Sequence, residues 1–315
     1  MRVLIVTYYW PPAGGPGVQR WLKFVKYLPE YGIEPVVLVP KNPSYPIIDE
    51  QLWKEIPQHI EVLKLPISEP YRFAKLFSKS KSNKMSSGIL PKENPSFIEK
   101  LMLYIRGNFF IPDARIGWVN PTVKFIEKYL NQNKIDALIT TGPPHSLHLI
   151  GLALKKKIDI PWFADFRDPW TTIHYHNSLR LNQKSQRKHL QLESEVLKGA
   201  DAIIVTSPST KKEFASKTTK PVHLITNGFD EADFDFSESE PDAFSIAHIG
   251  SLLSERNPRV LWEVLSELVQ ESKTFAAQLR LNFAGVVSDV VKSDLEHYNL
   301  MPFTTFYGYV AHQEA

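Results

Sequence analysis

The opening twenty residues place the tightest constraint on the fold of this chain. Residues 3–7 form a short apolar run rich in β-branched side chains, which is typical of a strand buried on both faces of a parallel sheet. From Val18 to Leu28 apolar residues recur at helical spacing, which predicts a helix. Two prolines and three glycines lie between the two patterns: Pro11, Pro12, Gly14, Gly15 and Gly17. The sequence therefore predicts a strand, a glycine turn and a helix in succession.

This glycine turn is a candidate phosphate site. A helix N-terminus offers unpaired backbone N–H groups and the positive end of the helix dipole, and glycine lets an anion approach the backbone closely. Arg20 adds a cation in the first turn of the helix. The spacing is neither the dinucleotide pattern G-x-G-x-x-G nor that of a P-loop. A turn that merely connects the strand to the helix is the alternative.

Size and composition limit the classes of function. The chain has 315 residues, about right for two domains, and a net charge of +3 that decides little about partners. It has no cysteine, which excludes disulfides and thiolate metal sites and fits a reducing compartment. No apolar run approaches the length of a membrane span. We expect a cytoplasmic protein with no nucleic-acid partner.

Contact with the inner face of a membrane stays an open alternative because of two neighbouring stretches. Residues 78–92 are rich in lysine and serine and are predicted to form a mobile loop. Residues 97–110 are amphipathic and aromatic. Lysines beside such a stretch could lie on an anionic membrane. The sequence favours the other interpretation, a helix packed on its own domain beside a solvated loop.

Further strand and helix patterns follow along the chain. Strands are predicted at 34–40, 136–141, 161–166, 202–207 and 222–226, with helices between most of them. An acidic segment without periodicity then precedes a second series of strands at 244–249, 279–284 and 304–309. We predict a first domain over 1–228, a linker over 229–243 and an incomplete second domain over 244–315.

Polar residues follow two of the predicted strands, at the sheet edge where α/β proteins bind ligands. His145 lies in the turn after the third strand of the first series, and the fourth strand ends in a charged cluster. An ordinary turn histidine and a structural ion-pair cluster are the alternatives. The cluster contains Asp165, Arg167, Asp168 and Trp170.

The order of these motifs resembles that of GT-B glycosyltransferases, and more specifically the retaining, nucleotide-sugar-dependent glycosyltransferase family 4. The motifs are the glycine turn, Asp165-Phe-Arg-Asp-Pro-Trp170, the segment E-V-L-K-G-A-D-A-I-I-V-T-S at 195–207, Asn227-Gly-Phe-Asp230 and His248-Ile-Gly-Ser-Leu252. The resemblance implies an α/β fold of two Rossmann-like, doubly wound domains that face a cleft. The first domain would bind the acceptor and the second would bind the nucleotide sugar.

The resemblance also implies roles for individual residues. The catalytic residues would be His145, beside the donor sugar, with Asp165 and Asp168. The donor-binding residues would be Gly14, Gly15, Gly17, Arg256 and Arg259. The acceptor-binding residues would be Arg20, Asp113, Arg115, Trp118, Arg167 and Trp170. For Asp113, Arg115 and Trp118, a role in packing and capping is the favoured alternative. In this family an arginine is usually followed closely by lysine and glycine, whereas Arg256 precedes Asn257-Pro258-Arg259, so either arginine could serve.

The implied activity is transfer of a sugar from a UDP- or GDP-linked donor to a carbohydrate or lipid-linked acceptor, with retention of configuration. Synthesis of a cell-surface polysaccharide or glycoconjugate would be its setting. No metal ion and no cofactor is expected. The carboxylate pair that the family uses near the donor sugar is not found by Ala315, so we expect these 315 residues alone to be inactive.

Two other functions stay open. An NAD(P)-dependent oxidoreductase would need an acidic residue after the second strand, where the chain has Pro40-Lys41-Asn42. A non-catalytic nucleotide-sugar-binding protein is the third possibility.

Overall fold

The computed structural model describes residues 1–69, 97–173, 176, 179–233 and 243–310. The chain divides into two compact units, Met1–Gly228 and Phe229–Ala315. The predicted mobile loop at 78–92 and most of the predicted linker lie outside the described residues.

The first unit is built on a seven-stranded parallel sheet. Its strand order is β3-β2-β1-β4-β5-β6-β7, so the order reverses between β1 and β4. At such a reversal a crevice opens at the carboxyl ends of the strands. The strands are β1 (Arg2–Val6), β2 (Glu34–Pro40), β3 (Glu61–Leu65), β4 (Ala137–Gly142), β5 (Trp162–Phe166), β6 (Ala202–Val205) and β7 (Val222–Leu224).

Helices of the first unit connect these strands. They are α1 (Pro16–Tyr27), α2 (Phe97–Phe109), α3 (Val119–Leu130), α4 (Ser146–Lys155), α5 (Gln183–Gly199) and α6 (Pro208–Ala215). The strand β1 shows how the sheet is covered on both faces. Leu4 and Val6 pack in one hydrophobic cluster, while Val3 and Ile5 pack in another. Because both faces of β1 are buried, its sequence is a continuous apolar run.

Two elements of the first unit were not predicted. The strand β3 lies at the edge of the sheet and is only partly buried, so its sequence includes the charged residues Glu61 and Lys64. The helix α6 spans eight residues, two of them lysines, and begins at Pro208 after a cap by Ser207. Neither segment carries enough apolar periodicity to stand out.

The second unit has a smaller sheet in the described residues, with the order β10-β9-β8 and parallel pairing. Its strands are β8 (Ser245–Ile249), β9 (Arg280–Ala284) and β10 (Thr304–Gly308), and its helices are α7 (Arg259–Glu271), α8 (Lys273–Gln278) and α9 (Asp289–His297). Its core joins β9 to α7 and α9 through Leu281, Phe283, Trp262, Leu265, Val291 and Leu295.

Candidate active site

The carboxyl ends of β4 and β5 bring the predicted site residues of the first unit together. Thr141 on β4 lies in register with Asp165 on β5. The Asp165 carboxylate is fully buried and accepts a hydrogen bond from Thr141 Oγ1 at 2.7 Å. It also accepts from Trp21 Nε1 at 3.0 Å and from Arg20 Nη2 at 2.9 Å. Both of its oxygens are therefore bonded to protein donors.

Arg20 extends this connection across the sheet. Its side chain is only 1% exposed, and its Nη1 donates to the carbonyl of Thr226 and to Asn227 Oδ1, each at 3.1 Å. The buried ion pair thus ties α1 to the ends of β5 and β7. These contacts favour an anchoring role for both residues, while the predicted catalytic role of Asp165 and acceptor role of Arg20 stay predictions.

The three glycines between β1 and α1 differ in their structural environments. The amide of Gly14 donates to the carbonyl of Ile47 at 3.1 Å. Gly15, at the N-cap of α1, has a φ of 102°, a backbone conformation that residues other than glycine rarely adopt. Gly17 has no such angle, but a Cβ there would collide with Nη1 of Arg167. The neighbour that excludes a side chain at Gly17 is therefore a guanidinium.

Arg167 occupies the space above the first turn of α1. Its Nη2 donates to the carbonyl of Pro143, its backbone N–H donates to the carbonyl of Gly142 at 2.9 Å, and its guanidinium lies 5.8 Å from the ring centre of Tyr9. Burial lowers the pKa of Arg167, and the carboxylates of Asp165 and Asp168 act against that shift. Because an arginine keeps its charge in proteins, a cation stands beside the N-terminus of α1. The N-cap residue of α1 is Gly15, which has no side chain to cap that N-terminus.

His145 has the most unusual environment in the site. It immediately precedes α4 and is 7% exposed, yet neither ring nitrogen has a hydrogen-bond partner among the described residues. Its ring stacks on Trp170, with the ring centres 5.0 Å apart and the planes 3° from parallel. Burial lowers the pKa of His145 well below its usual value, and the nearby His148 and Arg167 lower it further. The imidazole is therefore neutral, with one buried donor and one buried acceptor that no described residue uses.

Trp170 supports this ring from a fixed position. It is 2% exposed, and its Nε1 donates to Nδ1 of His189 on α5 at 3.1 Å. The next residue, Thr171, donates through its backbone N–H and its hydroxyl to the buried carboxylate of Glu193, also on α5. The loop after β5 is thus held against α5 at two successive residues.

Asp113, Arg115 and Trp118 lie in the segment that leads into α3. The Asp113 carboxylate accepts from the backbone N–H of Ser146 at 2.9 Å and from its hydroxyl at 2.8 Å, so it caps α4 next to His145. Arg115 is buried between Glu69 and the hydroxyl of Tyr8, and Trp118 is part of the core. These contacts hold the segment in place, and the predicted acceptor role of the three residues stays a prediction.

Sequence reasoning missed several residues of the site. His148 is fully buried, lies 3.0 Å from Thr140 Oγ1 through its Nδ1, and has a pKa that burial lowers to about 3. The signal was present, because two histidines three residues apart share one face of a helix. Glu69 and Glu193 carried no signal, since their partners lie far away in the sequence.

The two candidate arginines of the second unit differ in their contacts. Arg259 Nε donates to the Asp294 carboxylate at 2.8 Å, and Asn257 Nδ2 donates to the same oxygen at 2.5 Å. Arg256 ends the short turn Ser254–Arg256 and is exposed. Gly250 directly follows β8, and Gly285 directly follows β9. A Cβ on Gly285 would collide with the carbonyl of Gly250.

Comparison with known proteins bears on both fold and function. Residues 88–233, somewhat less than half of the chain, match the model of Glycosyltransferase Family 4. The matched segment includes His145, Asp165, Arg167 and Trp170. No curated protein sequence matches this chain.

Solved structures are similar over almost the whole chain. A sucrose-phosphate synthase from Thermosynechococcus elongatus is 14% identical, with 99% of this chain and 71% of that chain covered and a TM-score of 0.60. A TarM structure from S. aureus with Fondaparinux, alpha-GlcNAc-glycerol and UDP is 10% identical, with 98% and 77% covered and a TM-score of 0.57. A protein from Listeria monocytogenes named as a UDP-N-acetylglucosamine 2-epimerase is 11% identical, with 99% and 70% covered and a TM-score of 0.53.

These similarities confirm the predicted fold class, the Rossmann-like α/β fold of GT-B glycosyltransferases. The family match also confirms the predicted resemblance to Glycosyltransferase Family 4. Since the epimerase shares the fold, the fold by itself does not distinguish sugar transfer from other chemistry on a nucleotide sugar.

Proposed function

We propose, from the family match and the GT-B fold, that this protein transfers a sugar from a nucleotide-sugar donor to a carbohydrate or lipid-linked acceptor with retention of configuration. Synthesis of a cell-surface polysaccharide or glycoconjugate is the proposed setting. The observation that carries the proposal is His145, a buried imidazole with two unused ring nitrogens at the reversal point of the sheet. Proteins rarely bury a polar group without a partner, so such a group points to a ligand.

The neutral imidazole suits a hydrogen bond to a sugar hydroxyl. Because the pKa of His145 lies well below its usual value, the ring is a poor base at neutral pH. We therefore assign it the task of orienting the sugar rather than removing a proton. Its stacking on the buried Trp170 fixes the direction of both nitrogens, so little conformational entropy is lost on binding.

Negative charge develops on the diphosphate as the bond to the sugar breaks. A fixed cation and a helix N-terminus stabilise such charge without reorganising during the reaction. In the first unit Arg167 and the uncapped start of α1 lie side by side and can serve this purpose. In a retaining reaction on one face of the sugar, the leaving phosphate oxygen takes the proton of the acceptor hydroxyl. No side-chain base is then needed.

The second unit carries its own candidate donor-binding cations. Arg259 already pairs with Asp294, whereas Arg256 is exposed at the end of its turn. We therefore favour Arg256 as the donor-binding arginine. UDP is the first nucleotide to test, because UDP was bound in the TarM structure and the Listeria protein is named for a UDP-sugar.

The test begins with a calorimetric panel of UDP-sugars, GDP-sugars and NAD, followed by assays of donor consumption with carbohydrate and lipid-linked acceptors. We expect a nucleotide sugar to bind and NAD to bind far more weakly. Binding of NAD alone would favour the oxidoreductase. Binding of a nucleotide sugar without transfer to any acceptor would favour a non-catalytic binding protein.

Replacement of His145 tests the observation on which the proposal rests, the buried imidazole with two unused ring nitrogens. His145→Ala should lower turnover on the order of 10²-fold, since it removes a preorganised polar contact, or weaken donor or acceptor affinity if the chain does not turn over. The matched control is His223→Ala, at an exposed histidine on β7, which should change neither quantity. Equal behaviour of the two variants would contradict the proposed role of His145.

A further inference from the structure

The helix α2 has an apolar face that the described residues of the first unit do not cover. Leu101, Tyr104, Ile105 and Phe109 recur at helical spacing and are 48%, 40%, 36% and 72% exposed. Leu103 and Gly107 lie on the packed side, where a Cβ on Gly107 would come within 2.6 Å of the Leu179 carbonyl. A helix packed on its domain by one face normally presents a polar face to water. The outer face of α2 does not follow that rule.

A cluster of cations lies next to this face. Asn108 of α2 donates to the carbonyl of Arg180 at 3.2 Å and accepts from the backbone N–H of Asn182 at 2.9 Å. These bonds join the end of α2 to the start of α5. Four basic residues at that start are exposed: Arg180, Lys184, Arg187 and Lys188.

The placement of these cations is unfavourable for the helix that carries them. The N-terminus of a helix bears a partial positive charge, which acidic residues stabilise and basic residues destabilise. No acidic residue lies in the first turn of α5, while Lys184, Arg187 and Lys188 lie in its first two turns. A pattern that costs helix stability and touches no core indicates a role outside the fold.

We propose that these two groups of residues form one docking surface for an anionic phospholipid bilayer. We call it the α2–α5 surface: Leu101, Tyr104, Ile105, Phe109, Arg180, Lys184, Arg187 and Lys188. The apolar side chains enter the boundary between headgroups and acyl chains, and the cations pair with lipid phosphates. None of the described helices is long and apolar enough to cross a membrane.

The second unit contains a contrasting helix that argues for this partner. The helix α7 also exposes apolar side chains, those of Val260, Val264 and Leu268. The charged residues of α7 are mostly acidic, however, with Glu263, Glu267 and Glu271 against the single cation Arg259. An anionic bilayer would repel α7 and attract the α2–α5 surface, so charge distinguishes two otherwise similar apolar helices. This inference does not depend on the proposed sugar transfer.

Co-sedimentation with lipid vesicles tests the proposal. We expect the chain to bind phosphatidylcholine vesicles that contain phosphatidylglycerol, to bind pure phosphatidylcholine weakly, and to lose binding as salt is added. The triple variant Lys184→Gln, Arg187→Gln and Lys188→Gln should bind roughly 100-fold more weakly, because each surface cation contributes about fivefold. Ile105→Ser with Phe109→Ser should weaken binding about tenfold or more, since both side chains leave the interface.

Two comparisons decide the interpretation. The matched control, Val260→Ser with Val264→Ser on α7, should bind vesicles as the unaltered chain does. Absence of binding to anionic vesicles, or an equal loss in the α7 control, would overturn the proposal. A dimer in lipid-free solution that dissociates when Phe109 is replaced by serine would assign the apolar face to a second copy of the chain and would also overturn it. All these residues are exposed, and unchanged melting temperatures confirm that each variant folds.

Discussion

The two units of this protein treat their polar groups differently. In the first unit the sheet is covered on both faces, and Thr141, His145 and Asp165 at its carboxyl edge are buried. In the second unit β8 is exposed at alternate residues, so one face of that strand meets water. The ion pair Arg20–Asp165 is 1% and 0% exposed, whereas Arg259–Asp294 is 66% and 18% exposed.

This difference shows where a functional group can be recognised from the structure. Buried polar groups in proteins are nearly always hydrogen-bonded, so a buried group without a partner stands out in the first unit. Asp165 has protein donors on both oxygens, while His145 has no partner on either nitrogen among the described residues. Asp165 is therefore an anchor, and the unused ring nitrogens of His145 make it the candidate ligand-binding group. Many polar groups of the second unit are exposed to water, where the lack of a protein partner is not informative. Nε2 of His248 is an exception, since it is buried and has no partner among the described residues.

The largest effect should come from breaking the buried pair. Asp165→Asn leaves the charge of Arg20 without its partner inside the protein, which costs about 3–5 kcal/mol of unfolding free energy. Arg259→Gln, at the exposed pair of the second unit, should cost about 1 kcal/mol or less. Urea unfolding with hydrogen exchange over α1 and α7 measures each unit. Similar losses for the two variants would remove the distinction between the units.

A smaller effect is expected from filling the space at Gly17. Gly17→Ala forces the guanidinium of Arg167 to move. Because this group is the far end of a flexible side chain, we expect a cost near the lower end of the about 1–3 kcal/mol that overpacking causes. Gly228→Ala is the control, because nothing lies within 4 Å of a Cβ there and its φ lies outside the left-handed region that disfavours a side chain. We expect Gly17→Ala to weaken nucleotide-sugar binding as well, through the displaced cation. Full binding together with a shifted Arg167 would remove that cation from the proposed site.

The third effect concerns the dependence of stability on pH. Burial lowers the folded-state pKa of His148 to about 3, below that of an unfolded histidine near 6.5. Only the unfolded chain then binds the proton between these values, so the stability that is present above pH 6.5 is lost as the pH falls. His148→Gln should reduce the loss between pH 6.5 and 5.5 by about 1 kcal/mol. An unchanged loss in urea unfolding would mean that His148 is protonated in the folded state.

The fold was largely predictable from the sequence because it depends on local patterns. The strand β2 was predicted at its observed bounds, since a strand buried on both faces is apolar throughout. The strand β3 was missed because an edge strand tolerates charges such as Glu61. The order of motifs along the chain also led to the correct fold class.

The contacts of the site were less predictable because they depend on distant residues. Arg20 and Asp165 are 145 positions apart and meet only because α1 packs across the end of β5. The same is true of Asp113, whose carboxylate caps α4 from 33 residues away. Gly17 shows the limit most clearly. Its sequence context predicts a close ligand, which stays a prediction, while its close contact with Arg167 had no signal in the sequence.

The central claim, that His145 is a neutral imidazole held ready for the donor sugar, is tested most directly by ¹⁵N NMR of the histidine rings. The His145→Ala variant assigns the resonances, and a nucleotide sugar that calorimetry has shown to bind is then added. The account predicts the spectrum of a neutral ring at pH 7, and a shift of one or both ring nitrogens as the sugar saturates the protein. A protonated ring at pH 7, or a neutral ring whose resonances do not move at saturation, would contradict it.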